Sequence, residues 1–214
     1  MGAQDYLAKI QEGLHHHLSV GREVDTEQIL LPLAQMAERL VNMYSDNIKN
    51  GRANKLVVFG NGGSCEQGKH LAMELVGRFE RQDRRSLPAI SLSDSVGITA
   101  IANDLTYKNV FARQVEGIVI PGDIALGITT SGKSPNVIYG LHEAKKLGAT
   151  TTAFAGRHGI LLSDVILPNH FQPDYTYAVP SGDTATIQEY HLFGLHRLCD
   201  IVDEEIFNLD QQKK

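Results

Sequence analysis

Cysteine is scarce: Cys65 and Cys199 are the only two in 214 residues, too few for a disulfide framework. Long apolar runs are missing as well. None approaches the roughly 20 residues needed to cross a bilayer, and the N-terminus has no apolar signal core. Positive charge is in deficit, with 20 Lys and Arg against 25 Asp and Glu for a net charge of −5. The longest basic cluster, Arg78 to Arg85, is interrupted by Glu80 and Asp83. Binding to a phosphate backbone needs clustered cations, so nucleic acid is not an expected partner. Internal repeats and low-complexity tracts are also lacking. These absences exclude membrane, secreted and fibrous classes, and the expectation is a soluble cytoplasmic globule.

What is present has the composition of an ordinary folded domain, 42% hydrophobic and 21% charged. A single domain of this size buries about 70% of its unfolded surface and needs no metal merely to fold. From Asp5 to about Asn50 the pattern is helical: Tyr6, Ile10 and Leu14 recur at four-residue spacing, and Ile29, Leu33, Met36, Leu40 and Met43 at three to four. A break near Gly21 divides two helices, with Asp25 or Thr26 as the second cap. Pro32 either kinks that second helix or moves its start towards Leu31. The triplet His15-His16-His17 reads as exposed helix residues in preference to a metal site.

From Lys55 the grammar changes to short apolar strands alternating with helices. Strands are predicted at Leu56–Phe59, Ala89–Leu92, Asp123–Ile128, Thr151–Ala155 and Tyr175–Val179, and the last helix at about Asp183–Phe207. Leu161–Tyr177 reads mostly as an extended loop. Alternation of this kind predicts an α/β fold: a mostly parallel sheet with helices on both faces, three-layered and flavodoxin-like, preceded by the N-terminal helices. Ligands in such folds sit at the carboxyl ends of the strands. There the chain places two turns, Gly60-Asn61-Gly62-Gly63-Ser64 and Thr129-Thr130-Ser131-Gly132-Lys133-Ser134. Each leads into a helix N-terminus, which attracts anions and phosphate above all. Neither is a Walker A or dinucleotide pattern. One such turn alone is as well explained by tight capping; two on one sheet favour a phosphorylated ligand.

His70 and Glu74 are four apart on one helix, and Gln188 and His196 eight apart on another, so each pair shares a helix face. His and Glu suit a divalent transition metal, while Gln is a rarer ligand. Taken separately, each pair reads as ordinary surface or packing residues in preference to a metal site. His191 is as plausible a ligand as His196, and spacing does not choose between them.

Gly60 to Ser64, His70 and Glu74-Leu75-Val76-Gly77-Arg78-Phe79 together resemble the signature of bacterial phosphoheptose isomerases, a family of sugar isomerase (SIS) domain proteins. The likeness continues through Thr99 to Asp104, Phe111 to Glu116, Pro121-Gly122-Asp123, Thr130-Ser131-Gly132, Ser134 to Ile138, Val179-Pro180-Ser181, Asp183-Thr184-Ala185, Ile187-Gln188-Glu189 and His191. It spans roughly Lys55 to Asp203. The resemblance implies one SIS domain over residues 51–214, with residues 1–50 as its N-terminal helices. It implies an aldose–ketose isomerase of sedoheptulose 7-phosphate, acting through an enediol in a homotetramer with sites at subunit interfaces. Residue by residue, it implies one Zn2+ per subunit on His70, Glu74, Gln188 and His196. Glu74 would be the catalytic base and His196 the acid. Substrate contacts would fall on Asn61, Gly62, Gly63, Ser64, Glu74, Asn103, Asp104, Thr129, Thr130, Ser131, Ser134 and Gln188. Thr129 replaces a common Ser and Thr186 stands where many relatives carry Arg. The competing expectations are a non-enzymatic relative of the same fold that binds a replication initiator, and an isomerase of another sugar phosphate. The initiator-binding relatives lack the pair corresponding to Glu74 and His196.

Overall fold

Leu56–Gly60 (β1) is buried at every position, as a central strand covered on both faces requires. In the computed structural model, which describes residues 2–161 and 171–212, β1 lies between Ala89–Ser91 (β2) and Ile124–Thr129 (β3). Beyond β3 come Thr150–Ala155 (β4) and Tyr175–Ala178 (β5). The sheet order is β2-β1-β3-β4-β5 with all pairs parallel. This is the flavodoxin-like arrangement, and its strand order reverses between β1 and β3. In register, Val58 pairs with Ser91 on one side and Leu126 on the other. The two glycine- and hydroxyl-rich turns therefore leave adjacent strands at the switch point.

Period-two alternation divides the core into two layers. Leu56 and Val58 face Leu71, Leu75, Leu195 and Leu198, whereas Val57 and Phe59 face Phe111, Val137 and Leu141. The first layer is built from Glu27–Asn50 (α2), Gly63–Val76 (α3) and Thr184–Gln211 (α7). The second is built from Ser95–Asp104 (α4), Val110–Ile118 (α5) and Pro135–Lys146 (α6). A 3-10 turn at Tyr107–Asn109 leads into α5. β3 starts one residue late: the carboxylate of Asp123 is engaged by Asn54, Lys55 and the Ile120 N–H.

The first helix, Ala3–Val24 (α1), corrects the expected break near Gly21. It runs through that glycine because the missing Cβ leaves room for Tyr190, whose hydroxyl would lie 2.5 Å from it. That hydroxyl donates to the His17 carbonyl at 2.8 Å. The chain breaks at Asp25–Thr26 instead, and α2 starts at Glu27 with Pro32 inside it rather than near Leu31. Only Val20 and Val24 of α1 are buried. Tyr6, Leu7, Ile10, Leu14 and Leu18 are exposed. Of the expected Leu161–Tyr177 loop, residues 162–170 lie outside the described residues, and Tyr175 already belongs to β5. Among the described residues no helix is long and apolar enough to cross a membrane.

Candidate active site

The turn after β1 needs glycine. Gly62 takes φ +54°, and a Cβ on Gly60 would lie 2.8 Å from the Ile128 carbonyl. Ser64, buried, closes the turn with its N–H on the Asn61 carbonyl at 3.0 Å. Across the switch point Asn61 and Asn136 exchange amide hydrogen bonds of 2.9 and 2.8 Å. The Tyr107 hydroxyl donates to the same Asn61 oxygen at 3.0 Å. The turn after β3 gathers three hydroxyls: Thr129 Oγ1 is 3.0 Å from Ser134 Oγ and 3.4 Å from Ser131 Oγ. Ser134 is the N-cap of α6 and makes no side-chain capping bond, so its hydroxyl stays with this cluster. Asn103 and Asp104, at the exposed end of α4, bond to each other at 2.9 Å.

α3 and α7 pack side by side, and the site's titratable groups lie along their seam. His70 Nε2 is 3.1 Å from His196 Nε2 and 3.4 Å from Glu74 Oε1. Phe79 stacks on the far side of His196, with ring centroids 5.5 Å apart. Partial burial, then the neighbouring His70, hold His196 below the ordinary histidine range, against the pull of Glu74. Gln188 is elsewhere. It sits about 12 Å up α7 from His196, and its Nε2 lies 2.5 Å from where a Cβ on Gly63 would be. Gly63 is glycine because that amide occupies its side-chain space. Gln67, which sequence reasoning passed over, ties the two helices by donating to the Gln188 carbonyl at 2.6 Å.

The last turn of α3 leaves carbonyls without helical partners, and one buried arginine satisfies two of them. Arg84 donates to the Glu74 carbonyl at 2.8 Å and to the Leu75 carbonyl at 2.9 Å. Its Nε is ion-paired with Asp203 of α7, both side chains being almost wholly buried. Asp203 also accepts the N–H groups of Glu80 and Arg81 at 2.9 and 3.0 Å. This node fixes the end of α3 that carries Glu74. Nothing in the sequence separates Arg84 from its exposed basic neighbours.

Residues 26–156 match the SIS domain model. The chain is 45% identical over 174 residues to a phosphoheptose isomerase of Aquifex aeolicus, covering 81% of this chain and 86% of the relative. It is 40% identical over 207 residues to one of Trichlorobacter lovleyi, covering 96% of each. The chain belongs to the phosphoheptose isomerase family. The structure of the Francisella tularensis phosphoheptose isomerase superimposes with TM-score 0.81 at 32% identity, covering 93% of this chain and 98% of that one. That of Neisseria gonorrhoeae gives 0.79 at 30% identity, covering 93% and 99%.

In this phosphoheptose isomerase fold His191 and His196 have different surroundings. His191 is fully buried beside Phe154 and Tyr177, and its Nε2–H donates to the Ala155 carbonyl at 3.1 Å. Burial pulls it down to about 4, and its Nδ1 has no partner among the described residues. Among the N-terminal histidines, His17 departs from the exposed reading: it stacks on Tyr190 at 4.5 Å and pairs with Glu189 at 2.7 Å.

Among the described residues no group of three or more His, Cys, Asp and Glu is arranged to hold a metal as it stands. The spacings are nevertheless of the right size. Ligand atoms about 2.0–2.1 Å from a tetrahedral ion stand roughly 3.3 Å apart, and His70 stands 3.1 Å from His196 and 3.4 Å from Glu74. Two imidazoles and a carboxylate fit in kind, and His70 stands at ligand separation from each of the other two, while Gln188 lies apart at the Gly63 end of α3.

Proposed function

We propose that this chain interconverts sedoheptulose 7-phosphate and D-glycero-D-manno-heptose 7-phosphate, an intramolecular aldose–ketose isomerisation carried out in the cytoplasm. The observation that carries the reading is the cluster of Glu74, His70 and His196 along the α3–α7 seam, in a fold whose switch point presents two phosphate-suited turns. Kinship with phosphoheptose isomerases over nearly the whole chain supports it. A non-enzymatic partner-binding role is not favoured, because the acid–base pair is present.

Moving the carbonyl from C2 to C1 needs a base at carbon and an acid at oxygen. The Glu74 carboxylate takes a proton from C1, the electron pair forms the C1=C2 bond of the enediol, and O2 gains a proton from His196. In the second half O1 returns a proton to His196 and Glu74 delivers one to C2, so protons balance over the cycle. Asn61 to Ser64, with Asn103 and Asp104, orient the sugar, and Thr129, Thr130, Ser131 and Ser134 hold the phosphate. His70, Glu74 and His196 would hold zinc, with Gln188 completing the set where subunits meet. Zinc would polarise the carbonyl and stabilise negative charge on the enediolate oxygens. The exposed stripe from Tyr6 to Leu18 supports a homotetramer, since an apolar helix face of that length needs a cover.

Glu74→Gln and His196→Asn test the assignment. Each removes a proton-transfer group worth about 10²–10⁴-fold, so kcat on sedoheptulose 7-phosphate falls at least ~10²-fold at unchanged melting temperature. Fructose 6-phosphate serves as the control substrate. Unchanged kcat in a well-folded Glu74→Gln variant would falsify the catalytic role and favour the non-enzymatic reading.

A further inference from the structure

Beside the hydroxyl turn lies a pocket of about 330 Å³ whose wall includes Thr130, Ser131, Lys133, Arg157, His158 and Thr184. The chain as a whole carries a net charge of −5, yet among the described residues no carboxylate lines this pocket. Asp183, next to it in sequence, has its carboxylate turned to capping α7, accepting the Thr186 N–H at 2.8 Å. Among the described residues neither Lys133 nor Arg157 pairs with an acid. The Arg157 guanidinium makes a single hydrogen bond, from Nη2 to the Pro180 carbonyl at 3.2 Å. An arginine has five N–H donors, and among the described residues the other four have no partner.

The loop carrying Arg157 is held against the hydroxyl turn by main chain. Gly156 N–H donates to the Thr130 carbonyl at 3.1 Å, and Leu161 N–H to the Gly132 carbonyl at 2.8 Å. The Arg157 N–H is itself fixed on the Ser181 carbonyl at 3.2 Å. Gly132, at φ +68°, packs so closely on the Gly159 carbonyl that no side chain fits between them. Two cations without an acidic partner among the described residues, and hydroxyls that can still donate, thus converge from two loops whose separation is set by backbone bonds. A neutral hydroxylated ligand would leave both cations facing only water. A tetrahedral dianion matches both sets of donors, since its oxygens accept from hydroxyls on one side and from a guanidinium on the other.

We propose that Arg157, assisted by Lys133, is the cationic wall of the phosphate site, so that this pocket selects phosphorylated over free sugars. The inference rests on the isomerase reading but concerns only the charge of the ligand. In the Arg157→Gln variant of the full-length enzyme, KM for sedoheptulose 7-phosphate rises about tenfold or more while kcat falls less than about threefold, the pattern of lost uniform binding. The inhibition constant for inorganic phosphate rises in parallel, and Arg157→Gln/Lys133→Met adds to both effects. Arg157→Lys recovers part of the loss, because charge is what is read. Phosphate-induced thermal stabilisation is measured on the same samples. A wild-type chain that phosphate stabilises but that does not turn over the heptose would overturn the isomerase reading and leave this one standing. Wild-type-like KM and phosphate affinity in the double variant, within twofold, would overturn the cationic wall. So would a wild-type chain that millimolar phosphate does not stabilise.

Discussion

Replacing Asp203 by Asn leaves the shape of the α3–α7 node almost unchanged and removes one charge. Arg84 then becomes an uncompensated cation whose side chain has no measurable exposure. Breaking one side of a buried pair costs about 3–5 kcal/mol, a large part of the roughly 5–15 kcal/mol that holds a domain folded. For a chain of this length each kcal/mol corresponds to about 2–4 °C in Tm, so the expected fall is roughly 6–20 °C. Asn can still accept the Glu80 and Arg81 N–H groups, which Ala cannot, so Asp203→Ala should fall further. Calorimetry on both variants, with urea titration to check that m is unchanged, reads the effect directly. Activity below the transition provides a second reading, because Arg84 also holds the carbonyls of Glu74 and Leu75. A Tm within about 2 °C of wild type for Asp203→Asn would refute the claim that this ion pair is buried and structurally essential.

Stability falls on acidification through His191. The unfolded chain binds a proton near pH 6.5 while the folded one resists until about 4, so the unfolded state holds more protons between those values. The contribution is complete above pH 6.5 and is lost as pH falls towards 4, about 3 kcal/mol in all. Urea titrations of wild type and His191→Gln at pH 7, 5.5 and 4 should converge at low pH, and parallel curves would exclude the mechanism. Gly132→Ala forces an L-residue to φ +68° against the Gly159 carbonyl and should cost at least ~1–3 kcal/mol; an unchanged Tm would show that the two loops are not packed as described. Ile10→Lys/Leu14→Lys charges the exposed stripe of α1 and should shift a tetramer by light scattering towards smaller species, an outcome that unaltered mass would contradict. Elemental analysis should find about one divalent ion per chain, and chelation should abolish turnover; a metal-free chain of full activity would remove zinc from the chemistry.

The alternation of apolar strands and helices was legible because parallel strands buried on both faces must be apolar throughout, as Leu56 to Phe59 are. The two turns were legible because close approach or positive φ demands glycine at Gly60, Gly62 and Gly132, and small hydroxyl residues fill much of the rest. Helix ends were less so. Gly21 reads as a break only until Tyr190, 169 positions away, is seen to occupy the space of its missing Cβ. The same holds at the site, where Gly63 carries no sign of the Gln188 amide above it. Arg84 sits within the Arg78–Arg85 cluster, and only the fold distinguishes this buried arginine from the exposed Arg78, Arg81 and Arg85. His191 and His196 share a helix and a composition; what differs is whether the sheet or the α3 seam lies opposite. Local pattern encodes local structure, while the partners of a side chain are a property of topology.

The Asn61–Asn136 pair also dictates what the first turn can say to a ligand. A backbone N–H is only ever a donor, and that of Val137 points at Asn136 Oδ1 at 3.0 Å. This fixes which end of the Asn136 amide is oxygen, and the reciprocal pairing then fixes Asn61 in turn. The Asn61 oxygen is saturated by Asn136 and Tyr107, its two lone pairs both engaged. One N–H is left over. Among the described residues the Asn61 side chain therefore carries a polarity set by the main chain: its remaining N–H can meet a carbonyl or an oxyanion, while its oxygen has no lone pair left for a hydroxyl that seeks an acceptor.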